Sequence, residues 1–407
     1  MEHYDAIIIG AGPSGVSSAL FLHKAGYQVL LLDQAGFPRD KVCGEFISPA
    51  ADALFDELGV LSSIEALSPL RLKGVAISAY EDNEISIDYP PCPGFPGRMS
   101  SLSLPRTQLD NLLLNEARKA GVEVREHHKV DDLLFKEGSV AGVLGFDVRK
   151  TRFEFRARVI MDAGGRNGIS LRRLNLRKTA RTRGRIALAA HWQNVSLPEM
   201  RCYMHVSRPG YTGISQVGAR LTNVVLVVDQ AMLKGEDPQA FYLRVILNNQ
   251  KRKALLHGGV MTEKLRVVES LAFSVKPVPC GGLVLVGDAT GFLDPFTGEG
   301  IYLALKSAQI AAGVIHKALA DAGSFTKAHQ DSYARWRYAE FHKKFQLSRI
   351  LQFLIYKPQA CNWVVKTLHK NPSLAAMLAG AIGDYLPAEK VVSVKFLMKM
   401  IAGTAKL

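Results

Sequence analysis

At 407 residues, with 48% hydrophobic and 22% charged content, the chain is long enough for two or more domains and too apolar to be disordered throughout. Its net charge of +14 favours anionic partners: phosphates, lipid headgroups or nucleic acid. No run approaches the ~18 uncharged apolar residues of a membrane span, Glu2 and Asp5 stand where a secretory leader carries positive charge, and the five cysteines (Cys43, Cys92, Cys202, Cys280, Cys361) show no metal spacing, so a reduced cytoplasmic protein without a metal site is expected.

Tyr4 to Ile9 reads as a buried strand, short, apolar and β-branched. It runs into Gly10-Ala11-Gly12-Pro13-Ser14-Gly15. A helical stretch from Val16 to Ala25 follows, stopped by Gly26, and then a second buried strand, Val29 to Leu32, ending in Asp33. This is a whole strand–helix–strand unit. Gly10 permits the tight turn, Gly12 lets backbone approach a pyrophosphate, and Gly15 lets helix and strand pack closely. The helix N-terminus offers free N–H groups and a favourable dipole to phosphates. Asp33 lies 33 − 15 = 18 residues past the third glycine, where a carboxylate can accept hydrogen bonds from ribose hydroxyls. The unit alone does not choose between FAD and NAD.

Residues 73–90 and about 184–275 break into short strand-like runs. Glu84 to Tyr89 alternates polar and apolar, and Val224 to Val228 is continuously apolar, so a mostly antiparallel sheet is expected. Between these stretches lies a basic cluster of Arg172, Arg173, Arg177, Lys178, Arg181, Arg183 and Arg185. It reads equally as an anion-binding patch or a solvated surface. His191, in a strand-like run, reads as structural. No Ser/His/Asp triad and no nucleic-acid module stands out, so no nucleic-acid partner is expected.

Leu283 to Val286 is a further buried strand, ending in Gly287-Asp288-Ala289 and then Asp294-Pro295-Phe296-Thr297-Gly298-Glu299-Gly300. A helical pattern runs from Ile301 to about Ala322. A strand ending in Gly-Asp can aim a carboxylate at a ribityl hydroxyl. The helix opened by Gly298-Glu299-Gly300 can stabilise the negative charge that reduced flavin carries at its pyrimidine edge. Together with the N-terminal unit, this second stretch selects FAD.

From Ser324 onward the chain has 13 Lys/Arg and 4 Asp/Glu, so this tail carries 13 − 4 = +9. It is helical in pattern. Leu347, Ile350, Leu351, Leu354 and Ile355 form an apolar stripe, with Lys343, Lys344, Arg349 and Lys357 around it. Such a helix either lies on an anionic membrane or covers the substrate half, and both readings stay open.

These motifs resemble the flavoprotein superfamily of p-hydroxybenzoate hydroxylase, the flavin-dependent halogenases and the geranylgeranyl reductases, the last most closely. Pro38-Arg39-Asp40-Lys41-Val42-Cys43-Gly44-Glu45 looks like the reductases' P-x-x-K-x-C-G segment, and Asp294 to Ile301 looks like their D-P-x-x-G-x-G-I segment. Pro105-Arg106 with Leu109-Asp110 and Leu113 resembles the R-x-x-L-D helix start. Tyr211 to Val217 with Thr222 to Val224 resembles a strand pair facing the flavin. The resemblance covers roughly residues 1 to 325. It implies Arg106 at the FAD phosphates or ribose and Cys43 beside the isoalloxazine ring.

Two positions depart from the pattern. Asp162-Ala163-Gly164-Gly165-Arg166 has Gly164 where the hydroxylases carry the acid of A-D-G, and looks like the D-A-S-G-R variant of the reductase and halogenase branches. The electron donor, NAD(P)H or a reduced partner protein, is left open by it. Glu45 stands where the reductases commonly place a second glycine. The halogenases' W-x-W-x-I-P segment is absent, and the chain has three tryptophans.

The expected architecture is an α/β, Rossmann-like FAD-binding domain (1–72, 101–170 and 276–323), interleaved with an antiparallel-sheet substrate domain (73–100 and 171–275) and followed by a C-terminal helical segment (324–407). The expected cofactor residues are Gly10, Gly12, Pro13, Ser14, Gly15, Asp33, Arg39, Cys43, Gly44, Arg106, Gly287, Asp288, Pro295, Gly298, Glu299, Gly300 and Ile301. Cys43 and Glu45 are the candidate proton donors; equally, Cys43 reads as a packed small apolar residue and Glu45 as a loop residue. The resemblance implies hydride transfer from reduced flavin to an alkene of a small apolar substrate, isoprenoid or polyketide-like. Oxygen-dependent hydroxylation of an apolar or aromatic molecule is the alternative. Halogenation and a flavin-binding scaffold without catalysis rank below these.

Overall fold

The computed structural model describes residues 3–81, 83–92, 99–178, 184–269, 271–292 and 295–402. Its first strand is His3–Ile9, with Ala6, Ile7 and Ile8 fully shielded from solvent. A strand covered on both faces has no reason to alternate in polarity. It pairs in parallel with Val29–Leu32 on one side and Arg152–Asp162 on the other. Glu123–Arg125 extends the parallel sheet beyond Val29–Leu32. Arg152–Asp162 changes partner along its outer edge. Its first residues pair antiparallel with Ser139–Phe146, and its last residues pair in parallel with Leu283–Leu285.

The helix Pro13–Lys24 packs against Gly300–Ala322 and Arg106–Ala120. Leu20, Leu109, Leu113, Leu305 and Ile315 meet in the core they share. Burying each such side chain contributes ~1.5–3 kcal/mol. The first helix begins at Pro13, ahead of the expected Val16, because proline suits the first helical position and the glycine loop itself supplies the first turn.

Strands from two separated stretches build the second sheet. Its order is Glu84–Asp88, Gly74–Ser78, Arg201–Ser207, Gly210–Gly218, Leu221–Asp229 and Arg185–Gln193. Val260–Met261 and Arg266–Val268 pair with the outer edge of Arg185–Gln193. Every pair is antiparallel except Gly74–Ser78 with Arg201–Ser207, which a long excursion through the first sheet connects. Alternation then sorts the side chains. Leu188, Ile214, Val224 and Leu226 pack on the helix Pro238–Leu247. Ala187, Met204, Gly213, Val225 and Val227 face the opposite way and line a cavity.

The tail folds into Lys327–Ile355, Pro358–Lys370, Pro372–Ile382 and Val394–Ala402. Leu347, Leu351 and Ile355 share a core with Val75, Ile85 and Ile87 of the second sheet. The stripe expected from the sequence therefore covers the substrate sheet. Ile350, expected within it, faces solvent.

Candidate FAD and substrate site

The N-terminal loop is packed to the limit of its backbone. Gly10 has φ +99°, and a Cβ there would stand 2.7 Å from the Ala163 carbonyl oxygen. A Cβ on Gly15 would lie 1.8 Å from the Gly10 oxygen. Only glycine fits either place. Gly12 is different: the nearest atom to a Cβ there is the tip of Arg39, at 3.5 Å. The open side of the loop thus faces the cavity, where Gly12, Pro13 and Ser14 form the wall. No side chain caps the helix, so its N-terminal dipole is presented to that space. Asp33 is buried and already holds the loop, its Oδ2 accepting from the Ala11 N–H at 2.7 Å and its Oδ1 from Ala35 at 2.8 Å.

A cationic corner adjoins the loop. Arg106 opens the helix Arg106–Ala120 and donates to both oxygens of Asp110, one turn on, at 2.8 and 2.7 Å. Arg39 approaches the same carboxylate at 3.3 Å. Burial opposes the charge on Arg106, but Asp110 and the Cys43 sulfur hold its guanidinium above the ordinary value. Lys41 and Arg106 line the cavity here with Asp288.

Glu45 lies on the other side of the same segment. Cys43 and Gly44 line the cavity, whereas Glu45 is buried outside its wall. Its Oε1 accepts from the Arg106 N–H at 2.9 Å, placing a negative charge at the start of that helix. Its Oε2 meets His191 Nε2 at 2.6 Å. His191 Nδ1 lies 2.8 Å from Glu263, which pairs in turn with Arg266. Burial works against the charged imidazole, but the bond and charge of Glu45 raise it above its usual value. His191, read from the sequence as structural, joins the second sheet to the Cys43 segment. Asn223 makes a parallel tie, donating to the Cys43 carbonyl at 2.7 Å. Neither contact has a local sequence signal. The expectation of Glu45 as a proton donor finds no support in this geometry.

The second motif meets the first directly. A Cβ on Gly287 would stand 2.7 Å from Ser14 Oγ, and the Gly287 N–H donates to Ser307 at 2.9 Å. Asp288, Gly298 and Gly300 border the cavity, and nothing lies within 4 Å of a Cβ placed on Gly300. Glu299 and Ile301 border the cavity as well, Ile301 also packing into the core. Glu299 turns its carboxylate towards the tail, accepting from Ser348 at 2.8 Å and facing Lys344 at 3.1 Å. Asp294, the side chain of Pro295, Arg181 and Arg183 lie outside the described residues. Asp162 accepts from the Gly164 and Ser170 N–H groups, both at 2.8 Å. A Cβ on Gly164 would stand 2.9 Å from the Asp162 carboxylate, so an acid at 164 would meet a like charge.

The cavity measures about 300 Å³ and runs from these loops to the face of the second sheet. At that end Val225, Val227, Leu271, Phe292 and Phe296 form the wall, closed by Phe341 and Ile382 of the tail. Cys202 borders it too. Burial pushes its thiol up to about 11, against a bond from Ser215 at 3.3 Å, which keeps it neutral. The residues fit FAD: an uncapped helix start and a cationic corner for the phosphates, a second open glycine turn, and an apolar chamber beyond.

The family model described as an FAD binding domain matches residues 3–341. A menaquinone reductase of Mycolicibacterium smegmatis is 25% identical over 95% of this chain and 92% of its own length. Digeranylgeranylglycerophospholipid reductase 1 of Methanococcoides burtonii is 25% identical over 83% and 80%. A 1H-pyrrole-2-carbonyl-[peptidyl-carrier protein] chlorinase of Pseudomonas fluorescens is 26% identical over 81% and 79%. Among solved structures, a flavoprotein/dehydrogenase of Cytophaga hutchinsonii superposes with a TM-score of 0.87 at 22% identity, covering 99% of this chain and 98% of that one. A flavin-dependent brominase gives 0.83 at 21%, with both chains covered fully. The fold and the geranylgeranyl-reductase resemblance expected from the motifs are both found in these proteins, with halogenases beside them. The chain belongs to the FAD binding domain family and is an FAD-dependent enzyme.

Proposed function

We propose that the protein is a reductase that saturates a carbon–carbon double bond of an apolar, isoprenoid-type substrate. The observation that carries this reading is the chemistry of the chamber beyond the flavin loops. The side chains that the second sheet and the C-terminal helices present to it, among the described residues, carry no charge. Such a wall offers burial to a hydrocarbon and no partner to a charged group. Two of the reported relatives are named as reductases, of menaquinone and of digeranylgeranylglycerophospholipid, and they support the same substrate class.

Bound FAD, once reduced, supplies the hydride that one alkene carbon receives. The neighbouring carbon takes a proton. In this reading the Cys43 thiol, at the cavity wall beside Arg106, gives it, and solvent restores it between turnovers. Asn223 and the Glu45–His191 pair fix the Cys43 segment against the second sheet. Val225, Val227 and Phe296 exclude water from the substrate.

The rival reading is an oxygen-dependent halogenase or hydroxylase, which the chlorinase relative favours. The test is anaerobic. The holoenzyme would be reduced with dithionite, which bypasses the question of the physiological donor, and mixed with menaquinone or digeranylgeranylglycerophospholipid. Substrate-dependent return of the oxidised flavin band is expected, with two hydrogens added to the isoprenoid chain of the product; hydrogens found only on the quinone ring would count against the reading. Cys43→Ala should slow that step on the order of 10²-fold while leaving flavin bound. Turnover that needs O₂, with or without halide, would overturn the proposal.

A further inference from the structure

We infer that the C-terminal helix Val394–Ala402 docks the protein on an anionic lipid surface. Val394, Leu397, Met398 and Ile401 are each more than half exposed. They recur at i, i+3, i+4 and i+7, the spacing of one helical face. That face is fully developed and looks outward. The opposite side is already satisfied: Met400 is buried and Phe396 half-buried against the core that also holds Leu374 and Ile382.

Charge selects the occupant. Lys395 and Lys399 are exposed on the same helix, one turn apart and interleaved with the apolar stripe. From Lys390 to the end of the chain there are four lysines and no Asp or Glu. A second copy of the helix packed across a two-fold axis would bring the same lysines into mutual repulsion. An anionic bilayer satisfies both features, taking the apolar stripe below its headgroups and the ammonium groups among them. The helix is nine residues long, and no described helix is long and apolar enough to cross a membrane, so it lies in the surface.

The placement bears on the site. Met400, on the buried side, belongs to the same packed layer as Ile382, and Ile382 lines the cavity. The proposed lipid contact and the apolar chamber are thus joined through one core. The docking stands independently of the reductase reading, because it rests on this surface alone.

The test is sedimentation of the full-length holoenzyme with phosphatidylcholine vesicles, with and without phosphatidylserine. Binding that requires phosphatidylserine and weakens with salt is expected. Leu397→Asp with Ile401→Asp, and separately Lys395→Glu with Lys399→Glu, should each lower partitioning at least roughly tenfold. Flavin content, read from absorbance, should match wild type in both variants. Equal binding by wild type and variants, or no binding by wild type, would overturn the inference. So would a wild-type dimer that the variants convert to monomer, which assigns the face to a second copy.

Discussion

Glu45 holds φ at +54° while its carboxylate accepts the Arg106 N–H and meets His191. A non-glycine residue in that region is strained by roughly 1–2 kcal/mol. The geranylgeranyl reductases commonly have glycine here, which adopts the conformation freely but carries no carboxylate. In this chain the helix-start charge and the His191 pair offset the strain. Glu263 and Arg266 also face the imidazole, and Asp40 pairs with that arginine. Its folded value is raised above the ordinary 6.5, so the charged form binds more tightly in the folded state. The resulting stability is fully present below the unfolded value and disappears as pH rises through the folded one. His191→Gln should therefore destabilise the protein more near about pH 6 than near about pH 9 in urea titrations. Equal losses at both pH values would mean that the folded imidazole is neutral and that Glu45 holds it by a hydrogen bond alone.

Elements whose partners are close in sequence were legible from it. The strand–loop–helix unit at residues 4–33 could be read because apolar runs, glycine spacing and Asp33 all describe one local object. The strand and turn at 283–300 were legible for the same reason. The contact of Glu45 with His191 spans 146 residues, and no period or motif marks it. Glu45 consequently read as a loop residue or an acid, and the structure makes it a joint. The stripe in the tail was legible as an amphipathic helix, but periodicity says that a face is covered and not what covers it. The structure separates Leu347, which is buried against the second sheet, from Ile350, which is exposed. Leu347→Ala should cost ~2–5 kcal/mol, the range for a truncated core leucine. Ile350→Ala should stay within about 0.5 kcal/mol of wild type. Thermal or urea unfolding decides it, and similar losses at both positions would contradict the orientation of this helix.

At the scale of the molecule, a buried cation joins the C-terminal helices to the flavin half, beside the bonds from Arg337 to the Thr290 carbonyl and from Tyr333 to the Leu285 carbonyl. Lys344, on the helix Lys327–Ile355, faces Glu299 of the second FAD motif at 3.1 Å, pairs with Asp384, and donates to the Ala381 carbonyl at 3.2 Å. Ser348, one turn on, donates to the same Glu299. Burial lowers the Lys344 ammonium from its ordinary value, against the attraction of Glu299. The lysine thus ties the start of Gly300–Ala322 to the end of Pro372–Ile382, the two elements between which the cavity closes. Removing one member of such a group is costlier than never having built it, because the carboxylates left behind remain buried without a counter-charge. Lys344→Met should lose about 3–5 kcal/mol of stability. It should also speed FAD release and make the chain after residue 326 the first to be cut in limited proteolysis. Arg349→Gln, on the exposed side of the same helix, should leave stability within about 0.5 kcal/mol and both other readouts unchanged. If Lys344→Met released FAD no faster than Arg349→Gln, the tail would be held without the ion cluster, which would have no part in closing the site.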